Sequence, residues 1–355
     1  MRLTELGYNT ELENYRIEQG LGSFGVGRVI SEHKERYIVK TTENEFEAEI
    51  VGNLRFSAKN RSDFPAVGDW VAISEYDENK VLIHSVFPRK TIIKRQAVGK
   101  FGEIQIIASN IDFALIIQAV DRDFNINRIE RYLTICNAAK VKPIIILSKI
   151  DLINDLQLRD IHDNIRDRIK LVPIVAISNE TEIGYSRLNE IFVKGKTYCL
   201  LGSSGVGKST LSNNISGKAL MKTDSISLNT KKGRHITSHR ELIILENGGI
   251  LIDNPGMREV GIADTANGLE ITFNTITGLS QNCKFKDCTH LHEDGCAILE
   301  AVEKDEIDKN PYQNYLKMER EKSHFESSAT EKRKKDKDFG KMIKNHKKDR
   351  KRNKY

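Results

Sequence analysis

Over the first hundred residues, apolar and polar positions trade places in short runs. Val26–Ile30, Tyr37–Lys40, Phe46–Val51, Trp70–Ile73 and Lys80–Val86 are each bounded by Gly, Asn, Asp or Pro. A period of two predicts half-buried strands, and five of them suit a small closed barrel of the OB type. At Ile111 the pattern changes. Phe113–Ile117 and Pro143–Leu147 are almost continuously apolar, as strands covered on both faces are. Between them Asn125 can cap a helix whose stripe is Ile126, Ile129, Leu133 and Cys136. Val172–Ile177, Thr197–Leu201, Glu241–Leu245 and Gly249–Asp253 continue the strand series, with helical stretches between. Alternation of this kind predicts a mostly parallel sheet with helices on both faces. From about residue 265 the strand pattern stops, and Glu300–Phe325 reads as helical. No internal repeat is present. The expected organisation is a β-barrel over 1–108, an α/β domain over 109–265, a helical domain over 266–330 and a tail over 331–355.

Composition narrows the class. The chain has 355 residues, 39% hydrophobic and 30% charged, and no apolar run approaches the ~20 residues a membrane span needs. Met1–Leu6 lacks the apolar core of a signal peptide. Five cysteines, three of them clustered, do not make a disulfide framework. A cytoplasmic monomer without membrane contact is expected. The net charge of +6 is uneven: 331–355 holds 13 Lys/Arg against 4 Asp/Glu. Such tails bind nucleic acid or remain solvated. Arg89, Lys90, Lys94, Arg95 and Lys100 follow the last barrel strand and can extend a basic surface.

The strongest chemistry lies at Gly202-Ser203-Ser204-Gly205-Val206-Gly207-Lys208-Ser209-Thr210, a G-x-x-x-x-G-K-S-T run between a predicted strand and helix. Glycines let backbone N–H groups close on phosphate oxygens. Lys208 reaches the β- and γ-phosphates, and Ser209 ligates Mg²⁺. Forty-four residues beyond Ser209, Asp253 closes a strand ahead of Asn254-Pro255-Gly256. An Asp there holds Mg²⁺, usually through water, and the Gly256 N–H can sense a γ-phosphate. The switch loop belongs in Thr230–Ser238, where Thr237 is a Mg²⁺ ligand candidate and His235 is the acid–base candidate. Met257 stands where a water-positioning Gln is common, so His235 is the expected substitute.

Ser148-Lys149-Ile150-Asp151 follows an apolar strand and is the candidate base reader. The Asp151 carboxylate can accept from guanine N1–H and its amine, and the Lys149 stem can cover the base. Ala176 and Ser178 end the next strand as a second base-contact loop. This reader normally lies after the P-loop and here precedes it, so the chain reads as a circularly permuted GTPase. Cys283, Cys288, His290 and Cys296 give C-x₄-C-x-H-x₅-C, the donor set of a closed zinc site with one ion per chain. His292 is the close rival to His290, and Cys136 and Cys199 are expected in the core.

These motifs resemble the ribosome small-subunit-dependent GTPase A family, RsgA, also called YjeQ or YloQ. The likeness includes Pro65–Val71, Ala108–Asp112, Gly202–Thr210, Gly233-Arg234-His235, Asp253–Gly256 and the cysteine spacing. It implies an OB-fold, a permuted GTPase and a zinc domain. It also implies a role in late maturation of the small ribosomal subunit, with GTP hydrolysis stimulated by that subunit and contacts to its rRNA. Departures are Ser148 for Asn, Asn254 for Thr or Ser, and Ile236 within a usual Thr run. Two further readings remain: a nucleotide-switched RNA-binding module with negligible hydrolysis, and an ATPase.

Overall fold

A computed structural model of the chain describes residues 1–33, 36–96, 104–121, 124–217, 240–253 and 266–326. The chain starts with a helical arm, a 3₁₀ turn over Leu3–Leu6 and α1 (Thr10–Glu18), which the strand-dominated reading of 1–108 did not anticipate. Leu12 and Tyr15 of α1 pack onto Trp70 and Phe87. The five expected strands follow: β1 (Gly25–His33), β2 (Arg36–Lys40), β3 (Glu45–Ile50), β4 (Trp70–Asp77) and β5 (Lys80–Val86), with α2 (Gly52–Ser57) between β3 and β4. Their order β1-β2-β3-β5-β4 is closed by pairing of β1 with β4. In β3 the alternation is complete: Glu45, Glu47 and Glu49 face water, while Phe46, Ala48 and Ile50 are buried. Val29, Val39, Val71 and Ile83 fill the same core.

A two-stranded piece, β6 (Ile92–Gln96) with β7 (Ile104–Ser109), links barrel to sheet. Lys94 and Arg95 lie on β6 of this pair. The α/β unit contains β8 (Phe113–Ala119), α3 (Ile126–Ala138), β9 (Lys142–Ser148), α4 (Asp155–Arg168), β10 (Ile174–Ala176), α5 (Tyr185–Ile191), β11 (Thr197–Leu201), α6 (Lys208–Ser216), β12 (Arg240–Ile244) and β13 (Ile250–Asp253). The order is β10-β9-β8-β11-β13-β12, parallel except for β12. Successive side chains serve opposite cores. Ala114, Ile116, Cys199 and Leu201 meet α3 and α4 on one face. Leu115, Ile117, Tyr198 and Leu200 meet α5 and α6 on the other. Cys136 and Cys199 are buried as expected.

β12 also pairs with β1 of the barrel, Ser31 opposite Glu241 and Glu32 opposite Arg240. One hydrogen-bonded sheet thus runs from the α/β unit into the barrel. Asp69, fully buried, fastens the same junction: it accepts from Ala66 N, both Arg89 Nε and Nη2, and Ser109 Oγ. This corrects the reading of Arg89 as part of an exposed basic surface. Arg89 is committed to Asp69 and to the Ser62 and Phe64 carbonyls.

The C-terminal helices are α7 (Ala266–Thr272), α8 (Asn274–Ser280), α9 (Ala297–Glu303) and α10 (Lys309–Glu326). The single helical stretch expected over 300–325 is two helices, separated at a turn where Asp305 has φ +57. Phe273, Ile298, Tyr315 and Met318 form a separate small core. The unit docks on α3: Arg131 donates twice to Glu321, at 2.7 and 2.5 Å, and Asn137 donates to Thr272 at 3.0 Å.

Candidate nucleotide site and Cys/His centre

β11 runs straight into the glycine loop, and α6 begins at Lys208. Two glycines are required by geometry. A Cβ on Gly202 would sit 2.5 Å from the Ile117 carbonyl, and one on Gly207 (φ +91) 2.6 Å from Asn179 Nδ2. Both positions exclude a side chain so that the backbone can close on itself and on an anion. Lys208 Nζ donates to the Gly202 carbonyl at 2.7 Å and to that of Ser203, holding its ammonium inside the loop. Ser209 and Thr210 occupy the first turn of α6, at the positive end of its dipole. Ser203, Ser204, Gly205 and Val206 complete the loop.

The base-reading candidate reaches this loop from a strand two places away. Ser148 is fully buried, and its hydroxyl donates to the Val206 carbonyl at 2.7 Å. The short side chain therefore spans directly to the phosphate loop and ties the two together. Lys149 adopts φ +63 and pairs with Asp121 at 2.8 Å. Asp151 sits exposed in the 3₁₀ turn Ile150–Leu152. Ala176 ends β10, and the buried Ser178 hydroxyl accepts from the backbone N–H of Glu180 and Thr181, closing the second loop.

Three residues absent from the sequence reading lock these loops together. Asn179 Nδ2 donates to the Gly207 carbonyl at 3.0 Å. Tyr185 donates to Asn179 Oδ1, and Asn214 of α6 donates to the Asn179 carbonyl and to the Tyr185 hydroxyl. Their only sequence signal is position: Asn179 follows Ser178 directly. Asp253 ends β13, the strand beside β11. His235, Thr237 and Gly256, with the rest of the expected switch loop, lie outside the described residues, as does the tail 331–355.

The Cys/His centre lies between α8 and α9. The ligand atoms of Cys283, Cys288, His290 and Cys296 all fall within 4.8 Å of one another. His290 Nδ1 is 3.6 Å from Cys283 Sγ and 3.5 Å from Cys296 Sγ, and those sulfurs are 3.9 Å apart. A tetrahedral ion with ordinary zinc bond lengths needs edges of about 3.8 Å between sulfurs and about 3.6 Å from sulfur to nitrogen. The donor set fits such an ion, and His292 is not part of it. Burial pushes the His290 imidazole down toward its neutral, ligating form. Glu293 braces the loop: the Thr289 hydroxyl first, then the amides of Thr289, Leu291 and His292, hold its carboxyl well below the usual range.

The family model for RsgA GTPase matches residues 86–263. A Bacteroides thetaiotaomicron protein named small ribosomal subunit biogenesis GTPase RsgA 1 is 39% identical over 323 residues, covering 91% of this chain and 90% of that one. A Lactiplantibacillus plantarum protein named small ribosomal subunit biogenesis GTPase RsgA 2 is 41% identical over 302 residues, 84% of each chain. Among solved structures, YjeQ from Thermotoga maritima matches with a TM-score of 0.59 at 25% identity, over 83% of this chain and 96% of that one. YloQ, described as a circularly permuted GTPase, matches in fold with a TM-score of 0.60 at 24% identity, over 86% and 98%.

Proposed function

The chain belongs to the RsgA GTPase family, and from that premise we propose that it hydrolyses GTP in late maturation of the small ribosomal subunit, binding the subunit's rRNA and turning over fastest when docked on it. One observation carries the reading at the site: a base loop that precedes the phosphate loop in sequence is bonded to it through Ser148 and Val206. That bond supports reading the rotated motifs as parts of one nucleotide site.

The residue roles follow from chemistry. Gly202–Thr210 cradle the phosphates, with Lys208 as the point charge that turns from the loop carbonyls to the β- and γ-phosphates. Asp151 reads guanine, Lys149 covers the base, and Ala176 and Ser178 frame it. Ser209, Thr237 and Asp253 would hold Mg²⁺, which when bound neutralises charge on the phosphate oxygens. His235 positions the attacking water, and Gly256 senses the γ-phosphate. Cys283, Cys288, His290 and Cys296 would hold one structural zinc ion.

We divide the chain into a barrel over 1–108, a GTPase domain over 109–265, a zinc-binding helical domain over 266–330 and a basic tail over 331–355. The pairing of β12 with β1 supports stimulation by the subunit, because β12 directly follows the segment that contains the expected switch loop. Contact of the barrel with RNA has a mechanical route to that segment. No helix among the described residues is long and apolar enough to cross a membrane, and we place the protein in the cytoplasm as a monomer. The test is GTP turnover by the wild type and by Lys208→Ala. The variant should retain its fold and lose turnover; a folded variant with wild-type turnover contradicts the phosphate-loop assignment.

A further inference from the structure

β10 is the last strand of the α/β sheet and pairs with β9 on one side alone. The Ile145 amide donates to the Pro173 carbonyl, and the Ile177 amide to that of Leu147. In a parallel ladder alternate residues turn to the partner strand, so Pro173, Val175 and Ile177 face β9. Ile174 and Ala176 turn their backbone groups outward. Gly184 covers the Ala176 carbonyl, since a Cβ there would sit 2.0 Å from that oxygen. The amides of Ile174 and Ala176 and the Ile174 carbonyl have no hydrogen-bond partner among the described residues.

A cavity of about 400 Å³ follows this edge. Helix α4 covers one face of the sheet and α5 the other, yet Arg159 of α4 and Arg187 of α5 line the same space. The cavity therefore wraps the free edge of β10. Leu147, Leu158 and Ala176 give it an apolar floor. Ile174 is buried through its side chain, which belongs to the core under α4.

The charge along the groove is one-sided. Arg159 and Arg187 are exposed, and neither has a hydrogen bond or ion pair among the described residues. Arg166, on the same wall, donates to the Lys170 and Val172 carbonyls at 2.9 and 2.8 Å and meets no carboxylate among the described residues. His162 also lines the space and lies 3.7 Å from Asp163, which does not. Among the described lining residues Asp155 is the only acid. An edge without a partner is a template for a further strand, and exposed, unpaired arginines select carboxylates on it. The apolar floor suits alternate side chains of a peptide; a sugar–phosphate backbone would leave it uncovered.

We propose that this edge groove docks an extended acidic peptide segment of another protein, which adds a strand beside β10 and sets its carboxylates on Arg159 and Arg187. At strand rise the three residues of β10 take up about 10 Å of chain, so the recognised segment is short. The site goes beyond the GTPase reading: neither arginine belongs to the phosphate or base loops, and of the residues that read guanine only Ala176 is shared.

Full-length protein saturated with GDP and Mg²⁺ is titrated with a fluorescein-labelled heptapeptide of alternating Glu and Val, followed by anisotropy, with an alternating Lys and Val peptide as control. The expected result is saturable binding at least tenfold tighter than that of the control. It should weaken at least tenfold in Arg159→Glu/Arg187→Glu, with GDP affinity unchanged, and docking should slow hydrogen exchange of the Ile174 and Ala176 amides. Arg187→Ala removes a single exposed side chain, and its loss of at least threefold decides the matter if the double variant does not fold. No saturable binding, equal affinity for the two peptides, equal affinity in the folded variants, or unprotected β10 amides each overturn the proposal. Oligouridylate forms a second arm. Binding of it that is tighter than that of the acidic peptide and lost in the same variants would overturn the peptide assignment and make the groove an RNA contact.

Discussion

Ser148→Ala isolates the bond that joins the base loop to the phosphate loop. The hydroxyl is fully buried and donates to the Val206 carbonyl at 2.7 Å, and Val206 is itself only 2% exposed. Removing the hydroxyl takes away a short bond from that carbonyl where water cannot easily replace it. A buried polar group stranded this way costs ~1–3 kcal/mol. The nucleotide-bound state requires both loops in register, so the loss should fall on binding. At about 1.4 kcal/mol per factor of ten, this is a ~5- to 100-fold weaker affinity for GDP and GTP. The assay is dissociation of a fluorescent GDP analogue by stopped flow, with equilibrium titration alongside and a melting curve to establish folding. Faster release from a variant that still folds cooperatively, with its melting temperature lowered by roughly a few degrees, is the expected outcome. Release within twofold of wild type, in a folded variant, refutes the claim that Ser148 holds the two loops together.

Asp151→Asn exchanges an acceptor for a donor and should shift preference from GTP to XTP, whose 2-oxo group accepts; competition binding reads this, and unchanged preference removes Ser148–Asp151 as the base reader. Cys288→Ser should lose the zinc ion measured by elemental analysis and raise hydrogen exchange over 266–326, because metal binding and local folding are coupled. Wild-type protein purified without chelator and lacking zinc would contradict the assignment. His235→Ala should leave GTP binding unchanged and remove most of the stimulation by small subunits; full stimulation would move the water-positioning role elsewhere.

Much of the fold was legible because burial imposes period. Glu45–Ile50 alternates with one wet face, and Phe113–Ile117 within β8 runs apolar because cores lie on both sides. The phosphate loop and the Cys/His spacing were legible because their chemistry demands fixed residue types at fixed steps. Helix α1 was not, since Thr10–Glu18 buries no residue and touches the core only through Leu12 and Tyr15. Arg28 and Arg89 were illegible for another reason. An arginine in a sequence reads as solvent-facing, and only long-range partners, Asp69 for Arg89 and the Asn110 carbonyl for Arg28, 20 and 82 residues away, reveal Arg28 as buried and Arg89 as half-buried. Asn179, Tyr185 and Asn214 belong to no motif, and their contact depends on how α5 and α6 meet. Ser148 looked like a departure from the usual Asn, and its bond to Val206 emerged only once the two loops were side by side.

The central claim is a GTPase that the small ribosomal subunit switches on. It is tested most directly by steady-state GTP turnover of the full chain, alone and with purified small subunits, using Lys208→Ala to exclude contaminating activity. Turnover should be slow alone and rise ~10-fold or more with subunits, as in GTPases that wait for a partner, with none from Lys208→Ala. Turnover that small subunits leave unchanged would contradict it.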